Sequence, residues 1–216
     1  MALAQRAGML PGAVPHEGST ASPDVVAEVL AEAVGALDRR EIAYALMGGL
    51  ASSLLGRPRC TSDIDLFVAP EAAPRALAAL AEAGFETERT NPHWLYKAFR
   101  RDVLVDLIFK SCGDIYFDER MLARTRLLRH RDVEVRVLPP EDLVVIKAIA
   151  HDEETPRHWH DALSLISSNS LDWPYLVERA RKAPARVLSL LLYARSLGLC
   201  VPADPLRALG GSVFDA

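Results

Sequence analysis

The sequence predicts a mixed α/β (α+β) protein that ends in a helical region, and three observations support this class. Between residues 23 and 83, segments with the apolar spacing of helices alternate with short apolar runs typical of strands. Two β-prone runs then flank Arg100-Arg101-Asp102, as in an antiparallel hairpin. After Pro139-Pro140 every apolar pattern has helical spacing.

Strands are predicted where apolar and aromatic runs stop at turn-forming residues, as the first one does at Gly48-Gly49. The predicted strands are residues 42–47, 64–68, 94–99, 103–109 and 133–138. Helices are predicted between capping and breaking residues, such as Ser22-Pro23 before the first helix and Gly84 after the alanine-rich third helix. The predicted helices are residues 23–40, 50–55, 71–83, 141–151, 157–166, 173–182 and 184–197.

We expect three parts along the chain. Residues 1–21 form a flexible leader, because their apolar residues are too interrupted for a signal peptide. Residues 22–138 form the α/β core, and residues 139–216 form the C-terminal helical region. The alternative to a separate C-terminal domain is that these helices pack directly on the sheet.

Composition narrows the class of protein. Half of the 216 residues are hydrophobic and the net charge is -4, which predicts a soluble globular chain without a global positive field for nucleic acid. Cys60, Cys112 and Cys200 have no CxxC spacing, so we expect no disulfide framework and a cytoplasmic setting. The most apolar stretch, 187–199, is too short for a membrane span.

Asp63 and Asp65 are the first candidate metal ligands. Alternate residues of a strand project to the same side, so the two carboxylates converge and repel each other unless a cation lies between them. Hard oxygen ligands suit Mg²⁺ or Mn²⁺. The alternative is structural, with Asp63 in a turn and Asp65 on an exposed strand edge.

A candidate phosphate site precedes the two aspartates. Gly48-Gly49 lies between a predicted strand and a predicted helix, where glycine permits close approach and free N–H groups attract phosphate. Ser52 and Ser53 lie one turn further on and could add a hydroxyl donor. The alternative role of the glycine pair is a simple helix-entry turn.

Asp106 is a third acid, within the apolar run 103–109. A carboxylate there is costly to bury without a partner, so it either pairs with a cation such as Arg57 or Arg59 or serves in a site. Together with Asp63 and Asp65 it could hold two metals for a displacement at phosphorus.

Four motifs occur in a fixed order along the chain. They are Met47-Gly48-Gly49, Asp63-Ile64-Asp65-Leu66, Val105-Asp106-Leu107, and a helical segment that runs from Leu138-Pro139-Pro140-Glu141-Asp142-Leu143 through Lys147 to Arg157 and His160-Asp161. This order resembles the polymerase-β-type nucleotidyltransferase superfamily. It is most similar to the small bacterial branch that includes AbiEii-type toxins of toxin–antitoxin systems.

The resemblance implies a nucleotidyltransferase fold with a small mixed sheet flanked by helices, and it implies roles for individual residues. Asp63, Asp65 and Asp106 would be catalytic metal ligands, with Asp106 nearest the acceptor hydroxyl. Nucleotide would be bound by Gly48, Gly49, Ser52, Ser53, Lys147 and Asp161, where Lys147 neutralises phosphate and Asp161 orients Lys147 or the nucleotide. Leu50 stands where the family often has serine, so phosphate contact would come from backbone or from Ser52 or Ser53.

The implied reaction moves a nucleoside monophosphate from an NTP to an acceptor hydroxyl with Mg²⁺ or Mn²⁺ and releases pyrophosphate. The acceptor would be tRNA if the chain is a toxin with a cognate antitoxin, or an antibiotic of the aminoglycoside or lincosamide kind. A basic stretch would favour RNA; its alternative is a solvated helix face. The stretch contains Arg120, Arg124, Arg126, Arg129, His130 and Arg131, near Lys97, Arg100 and Arg101 of the hairpin.

Two further hypotheses belong to other classes. His151-Asp152, His158 and His160-Asp161 could form the metal site of an HD-type phosphohydrolase or a zinc site. The chain could also be a non-catalytic nucleotidyltransferase-like binding protein, which the loss of an acid would favour, and all three acids are present.

Overall fold

The computed structural model describes residues 21–59 and 61–215, so the predicted leader lies outside the described residues except for Ala21. The strands are β1 (Tyr44–Met47), β2 (Ile64–Val68), β3 (Glu86–Asn91), β4 (Leu95–Arg100), β5 (Val103–Ile108), β6 (Arg126–His130) and β7 (Val133–Val137). The helices are α1 (Pro23–Arg39), α2 (Gly48–Leu55), α3 (Ala73–Glu82), α4 (Glu119–Ala123), α5 (Pro140–Ala150), α6 (Arg157–Ser168), α7 (Trp173–Arg179), α8 (Pro184–Ser196) and α9 (Ala203–Phe214). A 3-10 turn, Ala180–Lys182, continues α7.

Within the described residues, seven strands form one mixed sheet in the order β3-β4-β5-β2-β1-β7-β6. Strand β2 is parallel to β5, and β1 is parallel to β7, whereas the other neighbouring pairs are antiparallel. Strand β2 lies at the centre, and its side chains are buried except for the half-buried Asp65. The sheet therefore presents one carboxylate at its middle strand.

The predicted α/β class with a mixed sheet and helices is confirmed, but two strands, β3 and β6, and two helices, α4 and α9, were missed. The sequence of β3, ETERTN, is polar and mostly exposed, and β6 also lies at an edge of the sheet. An edge strand pairs with only one neighbouring strand and is exposed to solvent, so it need not carry an alternating apolar pattern. The helix α9, near the end of the chain, was also not predicted.

The interpretation of the arginine-rich stretch as a helix face is wrong in part. Only the five residues of α4 are helical, and β6 then forms a hairpin with β7, in which Arg131 adopts a positive φ of 54°. The stretch therefore contributes a sheet edge instead of a continuous basic helix.

One hydrophobic core joins the α/β part to the helices that follow Pro139. Helix α5 is buried over most of its length, and α2 contacts both α5 and α6. Helix α9 packs on α7 and α8. Side chains of α5 and α6 are thus held beside the central strands, although the division of the chain at residue 139 stays a prediction.

Two acids at the start of α5 fix α7 to the core. The Glu141 carboxylate accepts a hydrogen bond from the Asp172 N–H at 2.8 Å. Asp142, whose side chain is 1% exposed, accepts from the Tyr175 hydroxyl at 2.7 Å and from Arg179 Nε at 2.6 Å. Burial raises the pKa of Asp142 to about 6, against the opposing effect of Arg179. The Glu141-Asp142 pair therefore has a structural role.

None of the helices described between residues 21 and 215 combines the length and apolar character needed to cross a lipid bilayer.

Candidate active site

Asp65 and Asp106 lie side by side on neighbouring strands. In the parallel pairing of β2 with β5, Asp65 is directly in register with Asp106, and in the antiparallel pairing with β1 it faces Met47. Adjacent strands are about 4.8 Å apart, and residues in register project to the same face of the sheet. The sheet thus places two carboxylates together, as the sequence predicted from separate motifs.

Asp63 lies just before β2, exposed, and its carboxylate accepts a hydrogen bond from the Ser62 hydroxyl at 3.1 Å. It is close enough to Asp65 to affect its ionisation. Burial, and then the charges of Asp106 and Asp63, raise the pKa of Asp65 to about 6, while Lys147 and the Gly49 N–H act in the opposite direction. The centre of the site is therefore short of positive charge.

Gly48 lets the backbone pass directly over Asp65. Its φ is +68°, and a Cβ at this position would lie 1.8 Å from Asp65 Oδ2, which no L side chain tolerates. The N–H of Gly49 donates to the Asp65 carboxylate at the start of α2. The glycine pair therefore brings a helix N-terminus and a carboxylate into contact.

The hydroxyls of Ser52 and Ser53 both contact backbone. Ser52 is buried and donates to the Gly48 carbonyl at 2.7 Å, while Ser53 Oγ accepts from the Arg59 N–H at 3.2 Å. In this structure the two serines shape α2 and the loop after it. Their role as phosphate donors stays a prediction.

Lys147 and Asp161 meet beside Asp65. Lys147, which is 4% exposed, places Nζ 2.9 Å from Asp161 Oδ2, and its charge lowers the pKa of Asp65. Burial acts to raise the pKa of Asp161, but Lys147 and Arg59 together lower it below its ordinary value. Asp161 is therefore an anion that fixes the Lys147 ammonium near Asp65.

Arg59 and Lys97 were not predicted as site residues. Arg59 binds Asp161 in bidentate fashion, with Nε 3.1 Å from Oδ1 and one terminal nitrogen 3.2 Å from Oδ2. Lys97 Nζ lies 3.0 Å from Asp106 Oδ1. Arg59 is thus a partner of Asp161, and Lys97 is a partner of Asp106.

The histidines near α6 do not form a metal cluster. Burial, followed by the charge of Lys147, lowers the pKa of His158 to about 4, and its Nδ1 lies 3.5 Å from Lys147 Nζ. His158 is therefore neutral at physiological pH. Among the residues that the structure describes, no three His, Cys, Asp or Glu side chains are grouped closely enough to hold a metal ion.

The basic residues proposed for RNA mostly form ion pairs. Arg100 and Arg101 pair with Glu32 and Glu28 of α1. The other pairs are Arg120 with Glu178, Arg124 with Asp172, Arg129 with Asp132, and Arg131 with Asp24. Arg126 donates to the Asn169 side chain at 2.9 Å. These contacts neutralise the positive surface that a polynucleotide would need.

A mixed sheet that brings carboxylates against a glycine turn at a helix start defines the class of the protein as a nucleotidyltransferase fold. The chain belongs to the family described as uncharacterised nucleotidyltransferase, whose family model matches residues 20–197. No curated protein matches the sequence.

Several solved structures are similar to this chain at low sequence identity. An antigenic nucleotidyltransferase-like protein from Paracoccidioides brasiliensis is 19% identical with a TM-score of 0.52, and the match covers 92% of this chain and 99% of that one. The lincosamide antibiotic adenylyltransferase LnuA, bound to lincomycin, is 13% identical with a TM-score of 0.49 and coverage of 68% and 98%. The antibiotic-resistance factor ANT(2'')-Ia is 14% identical with a TM-score of 0.47 and coverage of 90% and 94%.

Replacing Gly48 by alanine tests the contact with Asp65. Gly198→Ala is the matched control, because Gly198 also has a positive φ of 83° but has open space where a Cβ would lie. We expect Gly198→Ala to lower the free energy of unfolding by about 1 kcal/mol from backbone strain alone. Gly48→Ala should cost about 1–3 kcal/mol more, because Asp65 must be displaced. Urea denaturation measures both; equal losses would show that Gly48 does not contact Asp65 closely.

Asp65→Asn tests the shortage of positive charge. The pKa of Asp65 rises from 3.8 to about 6 on folding, so its ionisation lowers the free energy of unfolding progressively as pH rises from 3.8 to about 6. In EDTA at pH 8 we expect Asp65→Asn to raise the free energy of unfolding by about 1–3 kcal/mol, with a smaller gain at pH 5.5. Asp106→Asn should instead lower it by about 2–4 kcal/mol, because Lys97 loses its carboxylate. Destabilisation by Asp65→Asn at pH 8 would contradict this account.

Proposed function

We propose that this protein transfers a nucleoside monophosphate from an NTP to an acceptor hydroxyl and releases pyrophosphate. The observation that carries the proposal is the register of Asp65 with Asp106 on the central strands, directly beside the glycine turn at the start of α2. Family membership supports the reaction class.

The residues present fit a divalent metal ion. The pKa of Asp65 is raised by burial and by two neighbouring carboxylates, a conflict that a cation relieves, and carboxylate oxygens suit Mg²⁺ or Mn²⁺. Asp63, Asp65 and Asp106 are the side chains that would hold it together with oxygen atoms of the substrate phosphates, because among the described residues the carboxylates alone are not grouped closely enough to do so. When bound, such an ion stabilises negative charge on the phosphoryl oxygens and on the leaving pyrophosphate.

The chain itself supplies the positive charge and the orientation for the triphosphate. The helix start at Gly48 and Gly49 offers backbone N–H groups toward phosphate, with Ser52 or Ser53 as additional donors. Lys147 faces the same centre and neutralises phosphate charge, while Asp161 holds the lysine in place. Asp106 then accepts the proton of the acceptor hydroxyl, which makes that oxygen a better nucleophile.

A small hydroxyl compound is the acceptor that the charge distribution favours. The arginines of the basic stretch are largely paired with acids, and the chain has a net charge of -4. An antibiotic of the aminoglycoside or lincosamide kind belongs to this acceptor class. The second candidate, an AbiEii-like toxin that modifies tRNA and is held by a cognate antitoxin, is supported by the order of the sequence motifs. We place either reaction in the cytoplasm.

Incubation with each α-labelled NTP, Mg²⁺, and either total RNA or a panel of aminoglycosides and lincosamides tests the reaction and its acceptor. We expect label in a small hydroxyl compound; label in RNA would establish the second candidate. Absence of label in every acceptor, together with absence of NTP binding, would contradict transferase activity and favour a non-catalytic protein.

Asp106→Asn separates binding from turnover. We expect the Kd for the NTP to change by less than about threefold, while turnover falls at least about 100-fold because the acceptor loses its base. Asp204→Asn is the control, since Asp204 is exposed and its ion-pair partner among the described residues is Arg207 of the same helix, α9. Parallel losses of binding and turnover in Asp106→Asn would argue against the assigned role.

A further inference from the structure

Three charges stand in a row across neighbouring strands. Lys97 on β4 is directly opposite Asp106 on β5, and Asp106 is in register with Asp65 on β2. Residues in register project to the same face, so the order across the sheet is ammonium, carboxylate, carboxylate. This row lies in the candidate active site and includes a cation that the proposed reaction has not used.

The Lys97–Asp106 pair is buried. Its side chains are 8% and 15% exposed, and the Nζ–Oδ1 distance is 3.0 Å. Lys97 lies between the buried residues Tyr96 and Ala98. Among residues 21–59 and 61–215, Asp106 is the carboxylate within ion-pair distance of Lys97. An ammonium in such surroundings is costly to separate from its carboxylate, so the pair is a fixed feature of the site.

A divalent ion on Asp106 would meet this ammonium at close range. Both are cations and both would use the same carboxylate, in a place with little water to screen their repulsion. The other two aspartates of the site differ from Asp106, because neither Asp65 nor Asp63 has an ion pair among the described residues. The demand for a metal ion is therefore strongest at Asp63 and Asp65.

We propose that Lys97 is a resident cation at Asp106, so that the site takes up one divalent ion, at Asp63 and Asp65, instead of two. This inference rests on the proposed function and sharpens it. Lys97 is a positioning residue: its ion pair holds the Asp106 carboxylate in place toward the acceptor, and it does not contact the reacting atoms.

Counting bound Mn²⁺ tests the proposal. Equilibrium dialysis of the full chain, with the free ion measured by electron paramagnetic resonance, is run with Mn²⁺ alone and again with tripolyphosphate, the group that all NTPs share. We expect one tightly bound ion per chain in the wild type when tripolyphosphate is present. Lys97→Met should bind two, because Asp106 becomes available, and Lys97→Arg should bind one, because the positive charge is kept.

Two further variants guard against a folding effect. In the Lys97→Met, Asp106→Asn double variant both charges are removed, and we expect a return to one ion with an unchanged circular dichroism spectrum. Lys182→Met is the surface control, because Lys182 is exposed and donates to the Asp114 carbonyl far from the metal ligands in sequence. It should bind one ion like the wild type.

Each other result counts against the proposal in a distinguishable way. Two ions in the wild type, or one ion in Lys97→Met, would overturn the role of Lys97 and leave nucleotidyl transfer standing. Binding of no ion by the wild type under either condition would overturn metal dependence as well, and with it the mechanism of the proposed function.

Discussion

The side-by-side placement of Asp65 and Asp106 is the constraint on which the rest of the site depends. Two carboxylates in register at the centre of a buried sheet repel each other, and burial adds to the cost of their charges. Three features of the chain offset this repulsion in part. The Lys147 ammonium and the Gly49 N–H lower the pKa of Asp65, and Lys97 forms an ion pair with Asp106. The compensation is incomplete, since the pKa of Asp65 stays raised.

The helices after β7 complete the site as well as covering the sheet. Lys147 comes from α5 and Asp161 from α6, and Arg59 joins Asp161 to the loop that leads into β2. A shared core and the buried Asp142 hold these helices in place. The position of the ion-paired Lys147 therefore depends on packing between these helices, away from the strands.

Much of this arrangement follows from local rules in the sequence. Strand alternation predicted that Asp63 and Asp65 project to one side, and Asp65 does lie in β2, whereas Asp63 precedes the strand. An acid within the apolar run of β5 was costly enough to bury that it suggested a site. The pairing of Lys97 with Asp106 was not predicted, because the register of the hairpin differs by one residue from the one that the sequence suggests. A three-residue turn would have placed Lys97 opposite Val105. In the structure the turn comprises only Arg101 and Asp102, both with positive φ, so Lys97 pairs with Asp106. Arg59 gave no periodic signal, because it lies in a loop and binds a residue 102 positions away.

Thermal unfolding with Mg²⁺ and each NTP tests most directly whether the carboxylates of Asp63 and Asp65 bind a metal–nucleotide complex. For the wild type we expect Tm to rise by about 5–10 °C with one NTP and Mg²⁺ together at a hundredfold excess over Kd, and little with either alone. The Asp63→Ala, Asp65→Ala double variant should show no such rise. An unshifted wild type, or an equal shift in the double variant, would contradict the account.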